Sequence, residues 1–177
     1  MRRIENDEDM KIVGEEQAPV ADAAAVWQAH KACGNLDRAH RLGKILSQQL
    51  LNMQEDDEAL LLQKQMLFAF TMDTVGPALL VDDILVQTAR GTFFARLRDL
   101  LPEFEGTMHR LGAFTFYRLC VDGYAPTALP AVKIGAVFAA LCGKADDEAM
   151  EAQGVALFKS YIERLKETVS LVEFQKI

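Results

Sequence analysis

Residues 146–169 read DDEAMEAQGVALFKSYIERLKETV, and apolar side chains recur along this stretch at every third or fourth position. The recurring positions are Met150, Gly154, Leu157, Phe158, Tyr161, Ile162, Leu165 and Val169. Residues with this spacing share one face of an α-helix, because the helix completes a turn in about 3.6 residues. The acidic residues at the start suit the unpaired N–H groups of a helix N-terminus. The stretch therefore predicts a long amphipathic helix.

The same period continues through most of the chain. Apolar residues between positions 36 and 53 recur at steps of three and four. Residues 66–72 are apolar nearly all round, which is typical of a helix surrounded by protein. No segment alternates apolar and polar residues in the manner of a strand. The sequence therefore predicts an all-α fold, a compact bundle of six or seven helices with a central, largely buried helical pair.

Glycine and proline mark the predicted helix boundaries. Gly76-Pro77 is expected to end or sharply kink the third helix, and Pro77 suits the first turn of a fourth. Pro102 is expected to stop that helix, and one further helix is expected between Pro102 and Gly123. These signals place the longest loop after Gly123.

One short run of sequence occurs twice, at residues 56–59 and at residues 146–149, and both copies read DDEA. A duplicated helical hairpin would produce this match. Two helices that begin under the same physical rule would also produce it, because carboxylates favour helix N-termini. The second interpretation is favoured, and both runs are predicted to begin helices.

The composition is that of a folded protein. Among 177 residues, 50% are apolar and 25% are charged, a balance that supports a packed core. Residues 1–18 are polar and acidic without a helical period, so we expect a flexible acidic N-terminal arm. Residues 19–177 are expected to form a single helical domain.

Charge and cysteine usage limit the expected partners and location. The net charge of −7 disfavours nucleic acid, because the average field repels phosphate groups. The longest charge-free apolar stretches reach about half of the ~18 residues that a membrane span needs. Three widely spaced cysteines form no C-x-x-C pair, and the first residues do not resemble a secretion signal. We therefore expect a cytoplasmic protein with reduced thiols and with neither a nucleic-acid nor a membrane partner.

Three carboxylates, Asp73, Asp82 and Asp83, interrupt the most apolar stretch of the chain, residues 67–86. A buried carboxylate must be paired, because burying an unpaired ion costs several kcal/mol. Arg90 and Arg96 are reachable partners on the next helix. One interpretation is a polar handle in an apolar pocket, and the favoured alternative is a structural ion pair. The candidate ligand-pocket residues are Asp73, Asp82, Asp83, Arg90, Phe114 and Arg118.

The sequence does not contain a complete metal-binding, nucleophilic or phosphate-binding motif. Glu105-x-x-x-His109 and Asp37-x-x-His40 place two ligand types on one helix face, but neither has the Glu-x-x-His spacing of di-iron helical bundles. No cysteine has a partner at catalytic spacing, and the glycines form no phosphate-binding loop. The sequence predicts no catalytic residue, no metal and no cofactor, and it favours a non-catalytic protein.

Aromatic residues are concentrated between positions 93 and 124. Phe114, Phe116 and Tyr117 span about 300° of one helix, so they cannot all point to the same side. Such a helix either lies in the centre of the bundle or contributes to a subunit interface. The sequence thus favours an interaction or structural module that forms a homodimer. The alternative is a helical bundle that binds a small apolar ligand and orients it with a buried carboxylate and arginines.

Overall fold

The computed structural model describes residues 20–80, 82–125 and 128–177, so the predicted arm at residues 1–18 lies outside the described residues. The helices are α1 (Val20–Ala32), α2 (Asn35–Leu51), α3 (Glu58–Leu79), α4 (Asp83–Leu100), α5 (Pro102–Leu111), α6 (Ala113–Val121), α7 (Ala131–Leu141) and α8 (Glu148–Ser170). The described ranges contain no strand, and the predicted all-α bundle is confirmed.

The structure divides one predicted helix into two. The helix expected between Pro102 and Gly123 is interrupted at Gly112, whose φ of 59° lies in the left-handed region. Glycine adopts this conformation without the penalty that a Cβ atom brings. The described part of the chain therefore has eight helices, more than the six or seven that the sequence predicted.

The prediction that Gly76-Pro77 ends the third helix is wrong. Helix α3 continues through both residues to Leu79, with Pro77 in its last turn. A proline there removes one hydrogen bond near the helix end, which disrupts far less than a proline at the centre. Helix α4 accordingly begins at Asp83, directly after the extended Asp82, and not at Pro77.

Helix α3 lies at the centre of the bundle. Every residue from 65 to 73 is buried, as the apolar run predicted. The Phe68 ring lies 6.4 Å from the Phe93 ring of α4 and 5.2 Å from the Tyr161 ring of α8. The fully buried Phe68 and Phe93 join α3 to α4 at the core, which agrees with a central buried pair.

Glycines let two helix pairs approach closely. A Cβ atom on Gly43 of α2 would lie 2.4 Å from the carbonyl oxygen of Ala89 on α4. A Cβ atom on Gly135 of α7 would lie 2.5 Å from the carbonyl oxygen of Glu151 on α8. Neither side chain has room, so both crossings require glycine.

The two DDEA runs begin helices, as predicted. The Asp57 side chain accepts hydrogen bonds from the backbone N–H groups of Ala59 and Leu60, and Asp147 does the same at the start of α8. These aspartates are N-caps, which satisfy amides that have no partner within the helix. Among the helices of the described ranges, none combines the length and the apolar character that crossing a bilayer requires.

Candidate functional site

Three helices bring charged side chains together around Asp73. The carboxylate is on α3, and only 4% of its side-chain surface is exposed. Arg90 of α4 places its Nε atom 2.6 Å from Oδ1, and Arg118 of α6 donates to Oδ2 from an Nη atom at 2.7 Å. Both arginines reach solvent, with 41% and 60% of their side chains exposed. The guanidinium groups thus join a buried carboxylate to the surface.

The two arginine contacts differ in kind. Arg118 makes an aligned hydrogen bond, whereas the N–H of Arg90 does not point at Oδ1, which has no hydrogen-bond donor despite the short ion-pair distance. Two positive charges face one negative charge, so the three groups carry a net charge of +1 at neutral pH. The attraction between Asp73 and the two arginines offsets the free energy lost when the carboxylate is removed from water.

Aromatic rings border this ion-pair cluster. The Arg90 guanidinium lies 6.0 Å from the centre of the Phe94 ring, within the range of a cation–π contact. Phe114 of α6 packs edge-on against Phe70 at 5.7 Å and against Phe94 at 6.5 Å. Three of the six candidate residues, Asp73, Arg90 and Arg118, are therefore in direct contact, and a fourth, Phe114, is next to Arg90 through the Phe94 ring. We call this group the Asp73 cluster.

An open cleft of about 620 Å³ adjoins the Asp73 cluster. Its lining residues are Asp73, Thr74, Thr115, Arg118, Leu119, Val121, Asp122, Gly123 and Tyr124. The volume suits a small molecule, and the wall mixes carboxylates, hydroxyls and apolar side chains. The neighbouring apolar cavity next to Arg90 has a volume of only about 20 Å³, which is close to that of a single water molecule.

The other candidate carboxylates, Asp82 and Asp83, and the predicted partner Arg96 lie outside the Asp73 cluster. Asp82 precedes α4, where its carbonyl oxygen accepts the first backbone hydrogen bonds of the helix, and its carboxylate lies 2.9 Å from Nε2 of His30. Asp83 is exposed in the first turn of α4. Arg96 donates to the hydroxyl of Ser47 and not to a carboxylate. These residues do not share the environment of Asp73.

A hydrogen-bond network centred on the buried His30 and Asn35 lies where α1 and α2 meet residues 171–177. The Asn35 side chain contacts Nδ1 of His30 at 3.1 Å, and His30 in turn contacts Asp82. Asn35 also bonds both main-chain groups of Gln175, with its Nδ2 atom 2.8 Å from the carbonyl oxygen and its Oδ1 atom 2.9 Å from the N–H. Sequence reasoning missed this network, because no local pattern connects residues 30, 35, 82 and 175.

Helix α6 presents apolar side chains to solvent. Phe116 is 50% exposed and Leu119 is 70% exposed, although both are large and apolar. They are three residues apart and therefore neighbours on one face. Tyr124 follows the helix, is also exposed, and has its ring 5.3 Å from the Lys133 ammonium. We call Phe116, Leu119 and Tyr124 the α6 apolar face.

The thiols and the metal-ligand side chains of the described residues do not form a reactive site. Burial raises the pKa of the Cys120 and Cys142 thiols, which favours the protonated and less nucleophilic form. Residues 20–80, 82–125 and 128–177 contain no group of three His, Cys, Asp or Glu side chains that would hold a metal ion. His40 contacts the Thr92 hydroxyl at 2.7 Å, and the side chains of Glu105 and His109 lie outside the description.

Comparison with known proteins adds no assignment. No protein family, no curated protein and no solved structure matches this chain.

Proposed function

We propose that this chain is a non-catalytic interaction module that forms a symmetric homodimer through the α6 apolar face. The supporting observation is the exposure of Phe116 and Leu119, at 50% and 70%, on a helix whose Tyr117 is fully buried. Neighbouring large apolar residues on a surface are typical of protein–protein contacts. Two-fold dimers are the commonest oligomers, so a second copy is the first partner to test.

The α6 apolar face suits a partner with the same sequence. A two-fold contact uses the same patch on both copies, so Phe116 and Leu119 of one copy would pack against Phe116 and Leu119 of the other. Both side chains are exposed in the single chain, so the contact would remove large apolar groups from water.

The test is the mass in solution of the wild-type chain and of the Leu119→Glu variant. We expect a dimer of about 39 kDa, twice the 19.7 kDa of one chain, at micromolar concentration by light scattering. Leu119→Glu places a charge in the contact and should weaken the dimer by at least about tenfold. Leu100→Glu is the matched control, because Leu100 is an exposed leucine at the end of α4.

Two results would contradict the homodimer. A wild-type chain of about 20 kDa at micromolar concentration would rule it out. A dimer that responds equally to Leu119→Glu and to Leu100→Glu would place the interface elsewhere. Circular dichroism of both variants ensures that a loss of the dimer is not a loss of folding.

The cleft beside the Asp73 cluster favours a second candidate function, the binding of a small and mostly apolar ligand. Its support is the volume of about 620 Å³ together with Arg118, which reaches both the buried carboxylate and the cleft. The probe is anilinonaphthalene sulfonate, which has an apolar body and an acidic group. Arg118→Ala should weaken saturable fluorescence enhancement at least about tenfold, whereas the exposed Arg98→Ala should not. Equal effects of the two variants would retire this candidate.

Cysteine usage and net charge support a proposal about the location of the protein and about the partners it does not bind. The three cysteines are free, which suits the reducing cytoplasm. The net charge of −7 disfavours nucleic acid. We therefore infer a cytoplasmic acidic protein that has no nucleic-acid or membrane partner and no cofactor. Protein recovered from cytoplasmic and membrane fractions would test the location.

A further inference from the structure

A partly enclosed cavity of about 230 Å³ lies between the end of α3, the start of α7 and one face of α8. We call it the α8 cavity. Most of the side chains that line it are apolar, among them Val75, Leu79, Leu129, Phe158 and Ile162. Its other lining residues are Lys159 and Lys166, and no carboxylate, hydroxyl or amide side chain of the described residues contributes to the wall. The wall therefore contains two chemical types, apolar groups and cations.

The charge of the α8 cavity is opposite to that of the whole chain. The chain has a net charge of −7, yet both charged side chains in the cavity wall are positive. Lys159 and Lys166 are exposed residues. A lysine in such a position covers apolar surface with its stem and keeps its ammonium group in water. The α8 cavity therefore has an apolar interior and a positively charged mouth.

Lys159 is the lysine whose charge is not used within the fold. Lys166 is paired with Glu163, whose Oε1 atom lies 2.7 Å from the ammonium nitrogen. No described carboxylate forms an ion pair with Lys159. Lys159 and Ile162 are three residues apart and therefore neighbours on one face of α8. An unpaired positive charge thus adjoins the apolar wall.

The volume of the α8 cavity limits the size of its ligand. An apolar protein cavity of about 150 Å³ accepts benzene, which has six carbon atoms. By the same proportion, the cavity of about 230 Å³ accommodates an alkyl chain of about eight carbon atoms. Pockets for drug-sized molecules begin near about 300 Å³, so large ring systems are excluded.

We propose that the α8 cavity binds a medium-chain fatty carboxylate, with the alkyl chain in the apolar interior and the carboxylate beside Lys159. Removal of the chain from water drives binding, and the unpaired ammonium group selects an anionic end. The cavity is separate from the α6 apolar face and from the cleft beside the Asp73 cluster. The inference therefore goes beyond both functions proposed above and depends on neither.

The test is calorimetric titration of the whole chain with octanoate, which has eight carbon atoms. We expect saturable binding of one octanoate per chain. Hexanoate should bind roughly tenfold more weakly, because it buries two fewer CH₂ groups. Octyltrimethylammonium has the same alkyl chain with a positive end, and it should bind at least about fivefold more weakly than octanoate.

Two substitutions test the charge and the apolar interior separately. Lys159→Glu should reverse the preference, so that octyltrimethylammonium binds more tightly than octanoate. Lys44→Glu, at an exposed lysine of α2, is its control and should leave the preference unchanged. Ala78→Trp places a large side chain at an exposed position of the cavity wall and should weaken octanoate at least about tenfold. Ala136→Trp, at an exposed position of α7 outside the wall, should not.

Other outcomes overturn the proposal. These are the absence of saturable binding, equal affinities for octanoate and octyltrimethylammonium, or octanoate binding that Arg118→Ala weakens and Lys159→Glu does not. The last result would place the ligand in the cleft beside the Asp73 cluster. Circular dichroism checks the folding of each variant, and should Ala78→Trp not fold, the reversal of preference in Lys159→Glu gives the decision.

Phosphatidylglycerol vesicles distinguish a free carboxylate from a membrane lipid as the source of the anionic chain. The α8 cavity holds one short chain, so the protein should remain in the supernatant when the vesicles are sedimented. Sedimentation with the vesicles that Lys159→Glu abolishes would overturn the proposal of a free ligand.

Discussion

Asp73 is a buried carboxylate whose two partners retain contact with water. A fully buried ion pair loses the hydration of both charges, and its attraction often fails to compensate. Here only Asp73 is desolvated, because the arginines are 41% and 60% exposed. The cluster therefore holds α3, α4 and α6 together at a smaller cost than a fully enclosed pair.

Replacing Asp73 with asparagine tests this contribution. The neutral amide keeps the shape but loses the charge that both guanidinium groups face. We expect the free energy of unfolding to fall by about 1–2 kcal/mol, less than the ~3–5 kcal/mol of a fully buried pair. Urea denaturation measures the change. Glu163→Gln, in the exposed pair with Lys166, is the control and should change stability by less than about 0.5 kcal/mol.

Two buried tyrosines make stability depend on alkaline pH. Burial raises the pKa of Tyr161 to about 12 and raises the pKa of Tyr117 as well, whereas an unfolded chain ionises its tyrosines near pH 10. The stabilisation is complete below pH 10 and is lost as the pH rises toward 12. Tyr161→Phe should reduce the loss of urea midpoint between pH 9 and 11, and the exposed Tyr124→Phe should not. Parallel pH curves for the two variants would contradict this explanation.

The contact partners of individual residues were predictable only when the two partners were close in sequence. The apolar surroundings of Asp73 predicted a paired carboxylate, and Arg90 on the next helix was a reachable partner. Arg118 joins the cluster from α6, which is separated from α5 at Gly112, and the period of apolar residues does not predict where a separate helix packs. Asp82 looked similar in sequence, yet it lies at a helix start and contacts His30 instead.

At the scale of helices, close crossings depend on single glycines. Gly43→Ala would place a Cβ atom 2.4 Å from the Ala89 carbonyl oxygen, so α2 and α4 must separate. We expect a loss of about 3 kcal/mol in the free energy of unfolding. Gly91→Ala, at an exposed position of α4 where a Cβ atom would have nothing within 4 Å, should gain about 0.5–1 kcal/mol from helix propensity. Thermal denaturation measures both changes. An equal loss of stability in Gly43→Ala and Gly91→Ala would show that the crossing of α2 and α4 does not need Gly43.

Helix starts were easier to predict than helix ends. The starts of α3 and α8 could be predicted from the acidic runs that contain Asp57 and Asp147, because an N-cap bonds only amides of its own first turn. Pro77 was misleading, because proline removes a donor and restrains the residue before it without stopping a helix that is already near its end. Gly112 divides a helix through its left-handed φ, whereas Gly76 in α3 does not, and sequence alone does not distinguish the two.

At the scale of the whole molecule, α3 lies between the two close helix pairs, α2 with α4 and α7 with α8. Phe68 contacts Phe93 on one side and Tyr161 on the other. Phe68→Ala should cost about 3–5 kcal/mol and lower the hydrogen-exchange protection of both pairs together, if residues 19–177 form the predicted single domain. Leu100→Ala, at an exposed position, should cost less than about 0.5 kcal/mol. Loss of protection in one pair alone would indicate two folding units.

The proline in the last turn of α3 lies four residues after Asp73. In a regular helix, the amide of residue 77 would donate to the carbonyl oxygen of residue 73, and proline has no such hydrogen. The residue that binds two guanidinium groups through its side chain thus also has a main-chain oxygen that its own helix leaves without the usual donor. Exchanging Pro77 for alanine would supply that donor while leaving Asp73 and both arginines unchanged in sequence.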